Sequence, residues 1–275
     1  MNRSDPEAVS NRLRLAGVYS KKRLGQHFLV DVAALDAIVE AATISSADTV
    51  VEIGPGMGVL SERLLAVAGR VVAFELDEDM VRILAKDFPG LEVVRGDVLQ
   101  TAGPVVDALD TYKVVANIPY AITTPLLKLF LEGGVSRPPV SLTLLVQKEV
   151  GKRLAAKAGQ SDRGYLSVLC QYFAEVTYVR DVPKTSFWPA PEVDSAVIHL
   201  AVREQRLLAA GDEQRFLRFV HSSFTQKRKQ LKNVLAGIRR ISSAEMSAEL
   251  TKLGWPETVR AQELTMEQWI TLYGN

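Results

Sequence analysis

The sequence predicts an α/β protein whose sheet-forming part is followed by a smaller helical domain. Between residues 49 and 200, short apolar and β-branched runs alternate with stretches of helical periodicity, as a doubly wound sheet requires. One of these runs, residues 50–53, leads directly into a glycine-rich turn. After Arg203 the strand signals end and helical patterns continue towards the C-terminus. Together these observations favour one α/β domain with an all-helical domain after it.

The same patterns divide the 275 residues into three parts. Residues 1–20 are expected to form a flexible, polar N-terminal segment. Residues 21–203 are predicted to form the α/β domain, and residues 204–275 the helical domain. The predicted elements of the α/β domain are a helix carrying Leu35, Ile38 and Val39, strands at residues 50–53, 70–75, 91–94, 114–116 and 141–146, and a closing pair at 175–180 and 196–202.

Composition places the chain among ordinary globular proteins. Its hydrophobic content of 47% is sufficient for a core, and its formal net charge is +1. The single cysteine, Cys170, excludes a disulfide framework, and its apolar neighbours predict a buried packing thiol. No cluster of His and Cys has metal-ligand spacing. Residues 1–20 lack the apolar core of a signal peptide and the longest apolar runs are strand-sized, so a cytoplasmic protein without a membrane span is expected.

Three glycines, Gly54, Gly56 and Gly58, follow the strand at residues 50–53 and precede a helix with Leu60 and Leu64 on one face. Glycine allows the backbone to approach a ligand closely. The spacing is Gly-x-Gly-x-Gly, whereas dinucleotide binders carry Gly-x-Gly-x-x-Gly. This difference argues against a nicotinamide-dependent dehydrogenase.

Two acidic residues follow the next two predicted strands. Glu75 lies about twenty residues beyond the glycines, where α/β nucleotide folds place an acceptor for ribose hydroxyls. Asp97 follows the strand at residues 91–94 and could accept a hydrogen bond from an adenine amine. Each acid alone would be interpreted as a solvated strand end. In this order, after the glycine turn, they indicate a nucleoside-binding site.

The tetrapeptide Asn117-Ile118-Pro119-Tyr120 ends the apolar run at residues 114–116. Pro119 stops strand pairing and restricts the turn. The Asn117 side-chain oxygen and the Ile118 carbonyl can accept hydrogen bonds from an exocyclic amine, while Tyr120 offers a ring face for stacking. Alone, such a tetrapeptide is usually a turn. With the glycines and the two acids, it indicates a site that presents the amine of a flat ring to a methyl donor.

Together these motifs resemble the class I methyltransferases that use S-adenosylmethionine. Residues 22–29, Lys-Arg-Leu-Gly-Gln-His-Phe-Leu, are similar to the entry motif of the rRNA adenine dimethyltransferases. Residues 187–197, Phe-Trp-Pro-Ala-Pro-Glu-Val-Asp-Ser-Ala-Val, and 224–231, Phe-Thr-Gln-Lys-Arg-Lys-Gln-Leu, are similar to two further motifs of that family. With six motifs in order, the chain is identified as a member of the family's small-subunit (KsgA) branch. One departure is Ala121, where many members carry Asn, so any hydrogen bond from that Asn side chain is missing.

The resemblance implies a class I methyltransferase (Rossmann-like) sheet and dimethylation of two adjacent adenines in the 3′-terminal hairpin loop of 16S rRNA. It also implies a role in small-subunit biogenesis. S-adenosylmethionine would be converted to S-adenosylhomocysteine, without a metal. The implied donor-binding residues are Gln26, His27, Leu29, Gly54, Gly56, Glu75, Leu76, Asp97, Val98 and Asn117. The implied catalytic residues are Asn117, Ile118, Pro119, Tyr120 and Phe187.

The family pattern also implies individual roles. His27 and Leu29 would lie over the methionine end of the donor, and Gly54 against its backbone. Tyr120 and Phe187 would stack on the unstacked adenine, and the prolines after Phe187 favour an exposed, stiff loop. Two acceptors on the amine would favour the geometry in which its lone pair points at the methyl group, so no general base is expected.

Basic residues concentrate in the C-terminal part of the chain. Residues 1–202 carry 21 basic and 24 acidic side chains, whereas residues 203–275 carry 12 and 8. Such runs are usually solvated helix faces, but beside an RNA methyltransferase signature they favour phosphate contact, particularly since no acid lies between Glu213 and Glu245. The predicted RNA-binding residues are Lys22, Arg23, Lys227, Arg228, Lys229 and Lys232. The predicted partner is 16S rRNA within an immature 30S subunit, and the protein is expected to be a monomer.

Two alternative functions remain open at this point. A 23S rRNA adenine methyltransferase of the macrolide-resistance type would share the Asn-x-Pro-Tyr core, although residues 187–197 and the long C-terminal domain favour the 16S interpretation. A mainly non-catalytic ribosome-assembly or RNA-binding factor could also be built on this scaffold. Intact Gly54, Glu75, Asp97 and Asn117 argue against a loss of chemistry.

Overall fold

A largely parallel sheet flanked by helices and a separate two-stranded sheet together position the residues of the candidate site. In a computed structural model of the protein, the described residues are 26–209, 211–227 and 229–274, preceded by Val9, Asn11, Leu13 and Arg14. The strands are β1 (Phe28–Leu29), β2 (Thr49–Ile53), β3 (Arg70–Glu75), β4 (Glu92–Arg95), β5 (Lys113–Asn117), β6 (Ser141–Gln147), β7 (Ala174–Val182), β8 (Phe187–Trp188) and β9 (Ser195–Val202).

Helices connect most of these strands and form the C-terminal part of the chain. They are α1 (Val32–Ala42), α2 (Val59–Val67), α3 (Glu78–Asp87), α4 (Val98–Val106), α5 (Thr123–Leu131), α6 (Lys148–Ala155), α7 (Tyr165–Phe173), α8 (Glu213–Phe224), α9 (Leu231–Arg239), α10 (Ser243–Lys252) and α11 (Met266–Gly274). Short 3₁₀ helices cover Tyr120–Ile122, Lys184–Ser186 and Ala261–Glu263. From Arg203 onwards, the part of the chain that the structure describes contains helices and no strand. The predicted fold class, an α/β sheet followed by helices, is confirmed.

The main sheet has the strand order β4-β3-β2-β5-β6-β9-β7 within the described residues. Strands β2 to β6 pair in parallel, and β9 pairs antiparallel with β6. The chain runs outward from β2 through β3 to β4, and then returns to the other side of β2 with β5. Ligands of open α/β sheets bind at such a switch point, beyond the carboxyl ends of the strands. Because Ile53 pairs with Ala116, the turn after β2 and the turn after β5 are neighbours there.

The core of this sheet is apolar because its parallel strands are covered on both faces. Val50 and Val51 of β2 and Val114 and Val115 of β5 are all inaccessible to solvent. Helix α1 buries Leu35 and Ile38, as its periodicity predicted. Val39, predicted on the same face of the helix, is only half-buried.

A second, two-stranded sheet joins the entry motif to the motif at residues 187–197. Strand β1 pairs antiparallel with β8, so that Leu29 lies opposite Phe187. The Val30 amide donates to the Ser186 carbonyl at 2.8 Å, and the Ser186 hydroxyl donates to the Asp31 carboxylate at 2.7 Å. These bonds bring two sequence motifs that are far apart in the chain to one place.

The chain divides into two compact units. The sheet unit comprises the described residues up to Gly151 together with Glu175–Val202, and the helical unit comprises Lys152–Ala174 together with the described residues from Arg203 on. The division after Val202 lies next to the predicted boundary. The grouping of Lys152–Ala174 with the C-terminal helices differs from the prediction, which placed that segment in the α/β domain.

Aromatic packing explains this difference. In the helical unit, the Tyr172 ring of α7 lies 5.1 Å from the Phe216 ring of α8, measured between centroids. The Arg203 amide donates to the Phe173 carbonyl at 2.8 Å. Trp269 of α11 is fully buried beside Phe219. Contacts between residues so far apart in sequence leave no periodic signal from which α7 could be assigned to the helical unit.

The N-terminal part of the chain contributes two buried residues to the core. Val9 and Leu13 are each 2% exposed and belong to the apolar cluster around α1, which differs from the polar, mobile segment expected for residues 1–20. The other described residues there are Asn11 and Arg14. Cys170 is buried with a free thiol, as predicted. No helix in the described ranges has the length and apolar character to cross a membrane.

Candidate active site

The glycine turn after β2 has a backbone conformation that residues with a side chain rarely adopt. Gly54, Gly56 and Gly58 all have positive φ angles, of 68°, 55° and 76°. Only glycine adopts this region without steric cost. A Cβ atom on Gly56 would also lie 3.1 Å from the Phe28 ring. The turn therefore requires glycine both for its conformation and for its close packing.

Glu75, the last residue of β3, is tied to this turn. One carboxylate oxygen accepts from the Gly56 amide at 3.1 Å, and the other accepts from the Asp77 amide at 2.8 Å. The side chain is only 6% exposed, and burial raises the pKa of its carboxyl group despite these two hydrogen bonds. A carboxylate has about four lone-pair sites, so the group keeps capacity to accept a bond from a ligand hydroxyl.

Asp97 lies at the N-terminus of α4, after β4. Its carboxylate accepts from the Leu99 amide at 3.0 Å and caps the helix. Next to it, Val98 is buried. Leu76, directly after β3, is 55% exposed although it is a large apolar residue. An exposed leucine at the rim of a cavity suits contact with the flat face of a ligand.

The entry motif contributes two polar side chains. Gln26 donates from its amide nitrogen to the Asp77 carboxylate at 2.9 Å. His27 places its Nδ1 2.7 Å from the Pro189 carbonyl oxygen. Because a carbonyl only accepts, Nδ1 carries the proton in this arrangement. The imidazole ring is therefore held by the loop that follows β8.

Asn117 has an amide whose orientation is determined by its surroundings. Its Nδ2 donates to the His27 carbonyl at 3.2 Å. Since that partner accepts only, the nitrogen must face it and the oxygen Oδ1 must face away. Among the described residues, none donates a hydrogen bond to this oxygen. The half-buried amide thus keeps one free acceptor, at the end of β5.

Two aromatic side chains accompany this acceptor. The hydroxyl of Tyr120 lies 2.7 Å from the Ser195 hydroxyl, and its ring stacks near His27 at 6.5 Å between centroids. Phe187 is 4% exposed and forms part of β8, so it is not on the exposed loop that the sequence led us to expect. Its pairing with Leu29 in the two-stranded sheet is the reason for this burial.

All of these groups line one cavity of about 430 Å³ in the sheet unit. This volume lies within the range of small-molecule sites. Every donor-binding and catalytic residue expected from the sequence lies in its wall, namely Gln26, His27, Leu29, Gly54, Gly56, Glu75, Leu76, Asp97, Val98, Asn117, Ile118, Pro119, Tyr120 and Phe187. Their roles there stay predictions, while their proximity is a property of the fold.

One residue of the cavity wall, Glu52 on β2, was missed by the sequence reasoning. It is 1% exposed and accepts a 2.6 Å hydrogen bond from the Ser61 hydroxyl on α2. Its pKa is raised to about 8, mainly by burial and in smaller part by the nearby Glu75, although the Ser61 bond acts in the opposite direction. The available signal was a lone acid within the apolar run of residues 50–53, directly before the glycine turn.

The predicted RNA-binding residues lie partly outside the described residues. Lys22, Arg23 and Arg228 are among those not described. In the helical unit, the Lys227 ammonium donates to the Ser161 carbonyl at 2.5 Å, and Lys229 is exposed. Lys232 forms a 3.0 Å ion pair with Glu257. Glu257 lies outside the acid-free stretch between Glu213 and Glu245, so Lys232 has an acidic partner that is distant in sequence.

The chain is similar to known proteins in sequence and in fold. A family model described as ribosomal RNA adenine dimethylase matches residues 18–274. A ribosomal RNA small subunit methyltransferase A from Moorella thermoacetica is 40% identical over 273 residues, which cover 94% of this chain and 93% of that protein. Among solved structures, a dimethyladenosine transferase from Plasmodium falciparum has a TM-score of 0.73 at 27% identity and covers 90% of this chain and 96% of that chain.

A further solved structure, the 23S rRNA methyltransferase ErmE, has a TM-score of 0.70 at 28% identity, with 90% of this chain and 98% of that chain covered. The similarity therefore extends over both units and over nearly the full length of each of these proteins. The resemblance expected from the motifs is confirmed. This chain belongs to the ribosomal RNA adenine dimethylase family.

Proposed function

We propose that this protein dimethylates the exocyclic amines of two adjacent adenines in the 3′-terminal hairpin loop of 16S rRNA. It is an S-adenosylmethionine-dependent methyltransferase of the adenine dimethylase family. Relatives at 37–40% identity that bear the name ribosomal RNA small subunit methyltransferase A support the choice of the small subunit. The observation that carries the proposal is the amide of Asn117, which is oriented with its oxygen free at the end of β5.

The residues of the cavity fit S-adenosylmethionine. Glu75 offers a buried acceptor for the ribose hydroxyls, and Asp97 offers one for the adenine amine. The positive-φ backbone at Gly54 and Gly56 leaves no side chain in the way of the donor. When bound, the donor supplies an electrophilic methyl group on a positively charged sulfur.

The chain's own contribution at the reacting amine is to bind and orient it. The Asn117 oxygen and the Ile118 carbonyl accept the two amine hydrogens, while Tyr120 and Phe187 hold the faces of the base. An amine held by two acceptors is favoured in the pyramidal form whose lone pair is available for bonding. Such positioning accounts for about 7–11 kcal/mol in well-oriented reactions. The product proton leaves to water, so the mechanism uses no general base.

The charge of the helical unit supports binding to RNA. Exposed Lys229, with neighbouring basic residues, supports contact between this unit and rRNA phosphates. We infer that the substrate is 16S rRNA within an immature 30S subunit, that S-adenosylhomocysteine is the second product, and that the enzyme acts without a metal. We also infer that it acts as a monomer in the cytoplasm, with a role in small-subunit biogenesis.

A 23S rRNA adenine methyltransferase is the second candidate, because the structural similarity to ErmE is nearly as high as that to the dimethyladenosine transferase. Transfer of tritium from labelled donor to purified 30S and 50S particles separates the two. Label in the 30S particle, found by mass spectrometry as dimethyladenine at two neighbouring positions, supports the proposal. Label in 23S rRNA, or only monomethyl product, would assign the protein to the other branch. An absence of transfer to either particle would favour a non-catalytic assembly factor.

A further inference from the structure

The Tyr120 ring is anchored by a residue that does not line the cavity. Its hydroxyl lies 2.7 Å from the hydroxyl of Ser195, which is the first residue of β9 and is inaccessible to solvent. Ser195 pairs with Gln147 of β6, so its position is determined by the main sheet. The turn that carries Tyr120 is thereby connected to the main sheet.

The same ring is supported on a second side. His27 stacks near Tyr120 with an angle of 19° between the ring planes. His27 is itself held through its Nδ1 by the Pro189 carbonyl, and its own carbonyl accepts from Asn117. The stacking face and the amine acceptor are therefore parts of one connected set of contacts. Burial raises the pKa of the Tyr120 hydroxyl, which consequently keeps its proton at neutral pH.

The two methyl transfers make unequal demands on these contacts. In each transfer the amine nitrogen forms a bond to the methyl carbon, the bond between that carbon and the sulfonium sulfur breaks, and its electron pair stays on sulfur. One amine hydrogen leaves as a proton each time. The unmethylated amine offers two N–H groups to the acceptors at Asn117 and Ile118, whereas the monomethylated amine offers one. In the second transfer, the position of the base therefore depends more on its aromatic contacts.

We propose that Ser195 is a positioning residue that, by holding the hydroxyl of Tyr120, governs the second of the two methyl transfers. This inference rests on the proposed function, in which Tyr120 stacks on the target adenine. It assigns to Ser195, in the motif at residues 187–197, a role at the reaction without direct contact with the base.

The test measures the two transfers separately. Single-turnover reactions on 30S particles are followed by mass spectrometry of mono- and dimethyladenine for the wild type, Ser195→Ala, Tyr120→Phe and the double variant. Losing this hydrogen bond should slow the second transfer by about tenfold and the first by no more than about threefold. The double variant should be no slower than the worse single variant, because both remove the same bond. Donor affinity, measured by calorimetry, should be unchanged.

Ser141→Ala is the matched control. Ser141 is also a buried serine on this ladder, but it lies at the opposite end of β6, where it pairs with Ala201. Its replacement should alter neither transfer. Tyr120→Phe keeps the test decisive if Ser195→Ala folds poorly, since it deletes the bond from the partly exposed partner.

Two outcomes are distinguishable from each other. Equal slowing of both transfers, or an unchanged ratio of mono- to dimethyladenine in Ser195→Ala and Tyr120→Phe, would overturn the role of Ser195 while leaving the proposed function intact. Failure of the wild-type protein to form dimethyladenine in 30S particles would overturn the proposed function and this inference with it.

Discussion

Three polar residues of the cavity, Glu75, Asp97 and Asn117, are held in the same way. Each uses part of its hydrogen-bonding capacity to bind the backbone and has capacity left for a ligand. Glu75 accepts from two backbone amides, and Asn117 donates to one backbone carbonyl. A group held in this way is oriented before the ligand arrives, so that little conformational entropy is lost on binding. The consequence is that substitutions affect binding and chemistry separately, according to which ligand each free atom faces.

Replacement of Glu75 tests donor recognition. Glu75→Ala should raise the dissociation constant of S-adenosylmethionine by about tenfold or more, because the ribose hydroxyls lose a buried acceptor. Glu75→Gln should also weaken binding, since its amide group would oppose one of the two backbone N–H donors. Calorimetric titration measures both. Glu78→Ala, which changes an exposed acid on α3, is the control, and an unchanged affinity in Glu75→Ala would contradict the ribose assignment.

Replacement of Asn117 tests the chemistry. Asn117→Ala should reduce turnover to less than a few per cent of the wild type while leaving donor and particle affinities nearly unchanged, because its oxygen acts chiefly on the reacting amine. Methyl transfer to 30S particles, together with donor titration, measures this separation. Substantial residual turnover would mean that the amine is not held by this side chain.

Glu52 should make folding stability depend on pH. Its pKa is raised from 4.5 to about 8 by burial, so the folded protein holds this proton more tightly than the unfolded chain. The resulting stabilisation is fully present below pH 4.5 and is lost as the pH rises to about 8. The loss amounts to at most about 1.4 kcal/mol per pH unit within that window.

Glu52→Gln removes this titration and should reduce the loss of folding stability as the pH rises. A part of the loss should remain, because the pKa of Glu75 is also raised. Urea unfolding at a series of pH values measures the effect, with Glu40→Gln on α1 as an exposed control. Identical pH profiles for the wild type and Glu52→Gln would show that Glu52 is not neutral in the folded protein.

At the scale of helices and strands, elements with a continuous apolar pattern were predictable from the sequence. The two short strands that form only by pairing with each other, β1 and β8, were not. The runs at residues 50–53 and 70–75 agree with β2 and β3 to within one residue. The two-residue strands β1 and β8 are too short for any periodicity, and they form only because distant segments pair. The same cause explains the unexpected burial of Phe187 and the grouping of Lys152–Ala174 with the C-terminal helices.

The residues that line the candidate site were more predictable from the sequence than the residues that hold them in place. Residues such as Gly54, Glu75 and Asn117 stand at strand ends, where topology alone brings them together. The bond between Tyr120 and Ser195 depends on the register of β9 against β6, which no local pattern contains. For this reason the sequence indicated the groups that face the ligand better than the groups that hold them.

The junction between β2 and α2 provides a prediction at this scale. Gly58 caps α2 with a φ of 76°, and a Cβ atom there would overlap the Phe88 ring. Gly58→Ala should therefore destabilise the protein by about 2 kcal/mol or more, from backbone strain and overpacking together. Gly237→Ala, within α9 and with open space around it, should instead stabilise by about 0.5–1 kcal/mol. Thermal unfolding compares them, and equal midpoints for both variants would contradict this account of the turn.

For the molecule as a whole, the unequal distribution of charge is the feature most relevant to RNA. The net charge of +1 conceals an excess of acids before residue 203 and an excess of bases after it. Within the helical unit, Lys227 and Lys232 already have partners, a carbonyl and a carboxylate, whereas Lys229 is exposed. A side chain that must first break its contact with a partner gains less free energy from binding a phosphate. Lys229 should therefore contribute more to RNA binding than Lys232.

Salt titration of binding to 30S particles tests this ranking. Each phosphate contact adds about 0.7–0.9 to the slope of log affinity against log salt concentration, because bound counterions are released. Lys229→Ala should reduce the slope by about this amount, Lys232→Ala by less, and neither should change donor affinity. Lys252→Ala, at an exposed position near the end of α10, is the matched control and should leave the slope unchanged. If Lys229→Ala gave the wild-type slope, this lysine would belong to a solvated surface, and the phosphates would be bound by other residues.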